Sequence, residues 1–464
     1  MAHPYMANSV PTLKRQMLDY VGVADVETLF EQIPAAHRLK RPLDLPPALS
    51  SESELRRHLA GLLARNVSCE ENLNFLGAGC WQHYVPAVCD EVVHRTEWLH
   101  SVFGSPSSDH GRNQAWFEFA SQLGELVGFE LVGLPVYSWG CAVGHAIRMA
   151  SRLNGRHEVL VPRLIDPERL SVIRSYCEPA AMASHIAIQF IEADPATGML
   201  DLADLRGKLS ARTAAVYLET PGYLGTIEAQ VAEIAALARA SGTETIVGAD
   251  PLSLGVLAPP AELGADFAVG PTQPLGVHMN CGGGTGGYIA TRDDERYARQ
   301  YPTLMISIAE TLRAGEFGFA LSLFHQTSYG MREKGNDWTG NSVYMWAVAN
   351  AAYMSLLGPQ GFRELGEAIL ERSDYAARQI AALPGVGIRP ATAFFKEFVV
   401  DFSDSGKTVH DINKALLERG IFGGKDLSAE QPDFGQSALY CVTEMHSRAD
   451  IDRLTGALRE VLAK

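Results

Sequence analysis

From Phe117 to Ile289 short apolar runs alternate with stretches of helical periodicity. The runs are "HEVLVP", "IAIQFIEA", "AAVYLET", "ETIVGAD" and "ADFAVG", rich in β-branched side chains and with little apolar–polar alternation. A strand wetted on one face alternates, whereas a strand covered on both faces reads as a continuous apolar run. These segments therefore predict a mainly parallel sheet flanked by helices such as "VAEIAALARASG". Ligands of such sheets gather outside the carboxyl ends of the strands. That rule places "ETPG", "GADPLS" and "GPTQ" on the functional edge.

Ahead of the sheet, "TLKRQMLDYVG" closes on Gly22, "DVETLFEQI" opens with an Asp cap, and "SSESELRRHLAGLLARN" predicts a third helix. Between the last two, Pro42, Pro46 and Pro47 mark an extended strap. After "REKGNDWTGN" the chain turns helical and ends as strand "KEFVVDF", helix "VHDINKALLERG", strand "SALYCVT" and helix "RADIDRLTGALREVLA". The expected organisation is an N-terminal helical arm and strap over 1–85, a large α/β domain over 86–330, and a C-terminal α+β domain over 331–464. The arm has two readings, one embracing a partner chain and one packing on its own body.

Composition narrows the function. A net charge of −15 argues against non-specific nucleic-acid binding and against an anionic membrane surface. No apolar run approaches the roughly 20 residues of a membrane span, and "MAHPYMANSVPTLKRQ" lacks an apolar signal segment, so a cytoplasmic protein is expected. Seven dispersed cysteines without a C-x-x-C pair suit reduced thiols, with no metal site.

The order of arm, large sheet domain and small α+β domain resembles the aspartate-aminotransferase-like, fold type I pyridoxal-phosphate enzymes. The stretch "AVGPTQPLGVHMNCGGGTGGYIATRDD" has the strand–glycine turn–strand rhythm of a cofactor edge, where a Schiff-base lysine would be expected. There is none from Leu209 to Glu333. Cys281 beside the glycines reads as a small buried hydrophobe.

Five longer stretches carry a closer resemblance: "RLKRPLDLPPALS", "NFLGAGCWQHYVPAVCDEV", "GADPLSLGVLAPPAELGADFAVGPTQPLG", "LLGPQGFRELGE" and "LLERGIFGGKDLSAEQPDFGQSALYCVTE". In order, from about Val10 to the C-terminus, they resemble the α-type subunit (subunit 1) of the glycine decarboxylase, or P-protein, family of the glycine cleavage system. The resemblance implies that the Schiff-base lysine belongs to a β-type partner, that pyridoxal phosphate is held mainly by that partner, and that this chain lines a shared site. The implied reaction releases CO₂ from glycine and passes the aminomethyl unit to the lipoyl arm of a small carrier, the H-protein. No catalytic residue is expected in this chain. Thr272 and Gln273 stand where the lysine would be and are expected to reach a phosphate held by the partner. His83, Tyr84, Tyr137, Trp338 and Asn341 are expected to line the substrate site, and Asp250 to be structural or vestigial.

The resemblance fails in places. "VFGSPSSDHG" replaces a TPYQPE-like run, "VYSWGCAVGHA" a YDGATA-like turn, "LSLFHQTSYG" a polar strand, and "REKGNDWTGNS" an REKATSNICTNQ-like loop. Bulky Trp139 and Trp338 stand where the family has small or amide side chains. His110 and His145 have no family equivalents. Five readings stay open: an ordinary subunit, drift in a structural one, a paralogue retuned to another small amino acid or acceptor, a non-catalytic stabilising partner, and a free-standing enzyme that uses the fold without a Schiff base.

Overall fold

The computed structural model describes residues 2–3, 5–98, 106–279, 285–339, 343–389 and 392–463 (backbone only for 106–110), and divides into 1–67 and 68–464. In the first unit, helix Pro11–Val21 starts with proline in its first turn and ends at Gly22 with φ +80°. Asp25, two residues ahead of the short turn Glu27–Phe30, accepts from the Thr28 N–H at 2.9 Å. Residues 41–50 have almost no regular structure, and helix Glu52–Leu63 follows. None of the described residues of this unit is buried. Its helices therefore lack the covered apolar face that normally stabilises short helices.

The second unit is built on a sheet of seven strands among the described residues: β1 (Leu131–Val132), β2 (Glu158–Pro162), β3 (Ala187–Ile191), β4 (Thr213–Glu219), β5 (Glu244–Gly248), β6 (Phe267–Pro271) and β7 (Gly287–Thr291). Their order is β1-β7-β6-β5-β4-β2-β3. β7 runs antiparallel to both neighbours, and the remaining pairs are parallel. Both faces are covered, as the unbroken apolar runs predict. Leu160, Val216, Leu218, Val247 and Ala268 enter one core, while Val159, Val161, Ala215, Tyr217 and Ile246 enter the other. Against the second face lies helix Trp139–Asn154, capped by Ser138 and closed by Gly155 with φ +69°.

The C-terminal lobe has an antiparallel sheet of β8 (Gly387–Arg389), β9 (Glu397–Asp401), β10 (Lys425–Asp426) and β11 (Ser437–Cys441), ordered β8-β9-β11-β10. Helices Val409–Leu417 and Arg448–Leu462 share its core. The long helical run Tyr344–Ala381 is broken at Gly358 (φ +59°), just before Pro359. Among the described residues no helix is long and apolar enough to cross a membrane.

Candidate functional site

β4, β5 and β6 deliver Glu219, Asp250 and Thr272 to the carboxyl edge of the sheet. Asp250 lies just past β5 and caps the turn Pro251–Gly255, its Oδ1 accepting from the Leu252 N–H at 3.1 Å. Its Oδ2 lies 2.6 Å from Nζ of Lys396. Both side chains are 2 % exposed. Lys396 arrives from the C-terminal lobe, immediately before β9, with φ +48°. Only glycine adopts that region without cost, so surrounding contacts hold it there. Its carbonyl accepts from the Val442 N–H at 2.8 Å, and its ammonium sits 3.3 Å from the ring centre of Trp81.

The same ammonium lies 3.1 Å from Nε2 of His83, whose Nδ1 is 2.8 Å from Oε2 of Glu444. The Tyr84 N–H donates to Oε1 of Glu444 at 2.7 Å. Burial alone would raise the Glu444 carboxyl. The pairing with His83 and the Tyr84 N–H outweigh burial and hold the carboxyl at about 2. Next along the chain, burial pushes Glu397 up to about 7, although the Ala78 N–H and Lys396 favour its charged form. Gly225, at φ +87°, lets the chain pass here. A Cβ at that position would fall 1.8 Å from the Glu397 carbonyl oxygen.

A second buried pair completes the cluster. Arg169 donates to Oε1 of Glu219 at 2.6 Å and lies 3.5 Å from the ring centre of Trp139, and the Tyr217 hydroxyl donates to the same oxygen at 2.7 Å. Oε2 of Glu219 and the indole nitrogens of Trp81 and Trp139 have no hydrogen-bond partner in the chain. Between these groups about 10 Å³ stays open, the room of about one water. A pyridoxal ring does not fit in so small a space: Trp81, Trp139 and Lys396 line it, and Asp250, expected to be structural or vestigial, is paired with Lys396. Further along the edge, a cavity of about 500 Å³ opens at the ends of β2, β3 and β4, lined among others by Arg163, Glu192, Asp194 and Asp433.

The residues nominated from sequence are spread over this edge. His83 is buried in the Lys396 chain, while the Tyr84 ring is exposed. Tyr137 is half-exposed, and its carbonyl accepts from the Gly286 N–H at 2.8 Å. The Gly286 carbonyl in turn accepts from the Thr272 N–H at 3.1 Å, which ties Tyr137 to the turn. Thr272 and Gln273 are buried, and the Gln273 amide donates to the Val277 carbonyl at 2.9 Å. Trp338 is exposed, whereas His83 is buried. Asn341 and Cys281 lie outside the described residues, as does the side chain of His110. His145 is buried 3.7 Å from Asp337, in a cluster with Arg148 and Arg152.

Sequence reasoning missed Lys396, Glu397, Arg169, Glu219 and Glu444. The one available signal was "FFKEFVVDF", where adjacent charges lead into the apolar run Phe398–Val400. That pattern also describes an ordinary solvated strand start.

Residues 5–458 match the family model described as glycine cleavage system P-protein. A "probable glycine dehydrogenase (decarboxylating) subunit 1" of Staphylothermus marinus is 33 % identical over 476 residues, covering 99 % of this chain and 98 % of that protein. Its counterpart of the same description in Pyrococcus abyssi is 34 % identical over 468 residues and covers 100 % of both chains. A crystal structure of glycine decarboxylase (P-protein) in inhibitor-bound form superposes with a TM-score of 0.85 at 30 % identity, over 99 % of this chain and 100 % of that one. A sphingosine-1-phosphate lyase of Burkholderia pseudomallei matches at TM-score 0.64 and 16 % identity, over 93 % of this chain and 95 % of that one, and shares the fold alone.

Proposed function

Because the chain belongs to the glycine cleavage system P-protein family, we propose that it is the lysine-less α-type subunit of a pyridoxal-phosphate-dependent glycine decarboxylase. Its partner is a β-type chain that carries the Schiff-base lysine, and the aminomethyl acceptor is the lipoyl arm of the H-protein. The observation that carries the reading is the end-to-end match with proteins described as subunit 1. A subunit 1 calls for a subunit 2. The first unit supports the same view, because a segment of that length without a buried residue cannot offset its ordering entropy alone.

Pyridoxal phosphate, when bound, supplies the electron sink for the bond broken at the carboxylate. This chain's own Asp250 pocket does not accommodate it, so its part is to supply walls. Tyr84, Tyr137 and Trp338 expose aromatic rings that a neighbouring chain can use. Asn341 is placed with them on sequence grounds. His83, held between Glu444 and Lys396, positions the Glu444 carboxylate, whose other oxygen fixes the Tyr84 N–H. Thr272 and Gln273 are turned inward, so their part is to hold the turn in shape rather than to touch a phosphate. The Thr272 hydroxyl is the exception, having no partner in the chain.

Exchange of labelled bicarbonate into the carboxyl group of glycine tests this directly. The mixture contains this chain, a lysine-bearing β-type chain and the lipoylated carrier. Exchange should require both chains. Exchange by either chain alone would end the proposal, and CO₂ release from another small amino acid with glycine ignored would establish the retuned paralogue.

A further inference from the structure

Lys396 has no part in the activity above, yet the fold goes to some length to keep it. It is a non-glycine residue at φ +48°, 1 % exposed, and its ammonium is met by a carboxylate, an indole face and an imidazole. A buried ammonium persists only where such groups replace its water. The carboxylate it meets is Asp250, at the strand end where an aspartate in this fold holds a protonated pyridine nitrogen. The ammonium, 2.6 Å from that oxygen, puts a positive charge where a pyridinium would put one, although the oxygen makes no hydrogen bond of regular geometry.

We infer that Lys396 is a built-in substitute for the cofactor's ring nitrogen. It neutralises Asp250 as an ion pair, draws the C-terminal lobe onto the sheet edge and closes this chain's own cofactor position. An assembly with a lysine-bearing partner then holds one cofactor per pair, on the partner. That last consequence rests on the proposed function, whereas the substitution itself is a property of this chain.

Chemical rescue tests it on the full-length chain. Lys396→Ala should melt well below wild type. Propylammonium chloride should recover several degrees of that loss, and equimolar tetramethylammonium chloride, which has no N–H, should recover none. Wild type and the double variant Asp250→Ala/Lys396→Ala should not respond to the amine. If Lys396→Ala does not fold, Lys396→Met serves in its place, and adding Asp250→Leu should then raise the melting point above that of Lys396→Met alone. Pyridoxine 5′-phosphate, which cannot form a Schiff base, should give no saturable heat of binding with the wild-type chain. A Lys396→Ala chain as stable as wild type, an amine response independent of Asp250, a double variant no better than Lys396→Met, or stoichiometric pyridoxine phosphate binding lost in Asp250→Ala would each overturn the inference. Failure of the functional reading would look different: no complex with the lysine-bearing chain, and the rescue pattern unchanged.

Discussion

Arg169 and Glu219 form a buried ion pair at 2.6 Å, with the guanidinium laid over the Trp139 ring and both side chains at most 4 % exposed. Trp139 belongs to one of the segments where the family resemblance fails. In the structure its ring is a platform for a cation, and the space it takes is space lost to a cofactor.

Removing one partner of such a pair strands the other in a medium that cannot solvate it. Arg169→Met should therefore cost about 3–5 kcal/mol of unfolding free energy. Glu219→Gln, which keeps an acceptor for Arg169 and Tyr217, should cost less. Urea unfolding of the two variants under identical conditions checks the order. Equal losses would mean that the acceptor kept by glutamine does not make up for the lost charge.

Glu397 sets a slope in stability between neutral and mildly acidic pH. Its native carboxyl lies at about 7 against an ordinary value of 4.5, so the folded chain keeps a proton that the unfolded chain releases. Stability should fall as pH rises from about 4.5 to 7 and level off above, by up to about 3 kcal/mol. Glu397→Gln should flatten that slope. Melting curves of both proteins from pH 5 to 8 decide it.

Glu444 acts in the opposite sense at lower pH. Its native carboxyl lies at about 2, below the ordinary 4.5, so its contribution is complete above about 4.5 and is lost as pH falls toward 2. Glu444→Gln should remove up to about 3 kcal/mol at pH 7. The deficit should shrink on acidification, because protonation does to wild type what the substitution does. Parallel acid titrations followed by near-ultraviolet circular dichroism report it.

Gly225→Ala probes how closely the lobes meet. Its positive φ and the carbonyl of Glu397, 1.8 Å from where a Cβ would be, allow no side chain without backbone movement. A loss of more than about 2 kcal/mol is expected, beyond the range for typical surface substitutions. Gly456→Ala, with open space around its Cβ, is the control and should be close to neutral.

Leu13 and Met17 lie one turn apart on the helix Pro11–Val21, and both are exposed. Leu13→Asp/Met17→Asp should leave the chain's own unfolding within about 0.5 kcal/mol of wild type. Affinity for the lysine-bearing chain, read by sedimentation or calorimetry, should fall at least tenfold. Unchanged affinity would remove this helix from the interface.

The strands were legible because each carries its evidence locally. A run such as "AAVYLET" is apolar at every position, and the two cores that take its alternate residues explain why. The break at Gly358–Pro359 is local in the same way, since both residues act on their own backbone, although it was not read from the sequence. The content of the site was not. His83 and Lys396 are 313 positions apart, and their meeting depends on how the C-terminal lobe settles on the sheet edge. Nothing near either residue announces it. Missing the Schiff-base lysine in one segment was legible, but a lysine reaching the same strand end from another lobe was not.

The unburied first unit bears on how the protein is made. Between its two α-helices runs a loosely ordered stretch, and apolar side chains such as Tyr20, Leu45 and Leu63 meet water along its length. A copy released from the ribosome before its companion exists offers proteases an open site and chaperones an oily ribbon. Matched synthesis of the two polypeptides, as from one message, would spare the cell that loss, and an excess of this one should be the copy that is degraded.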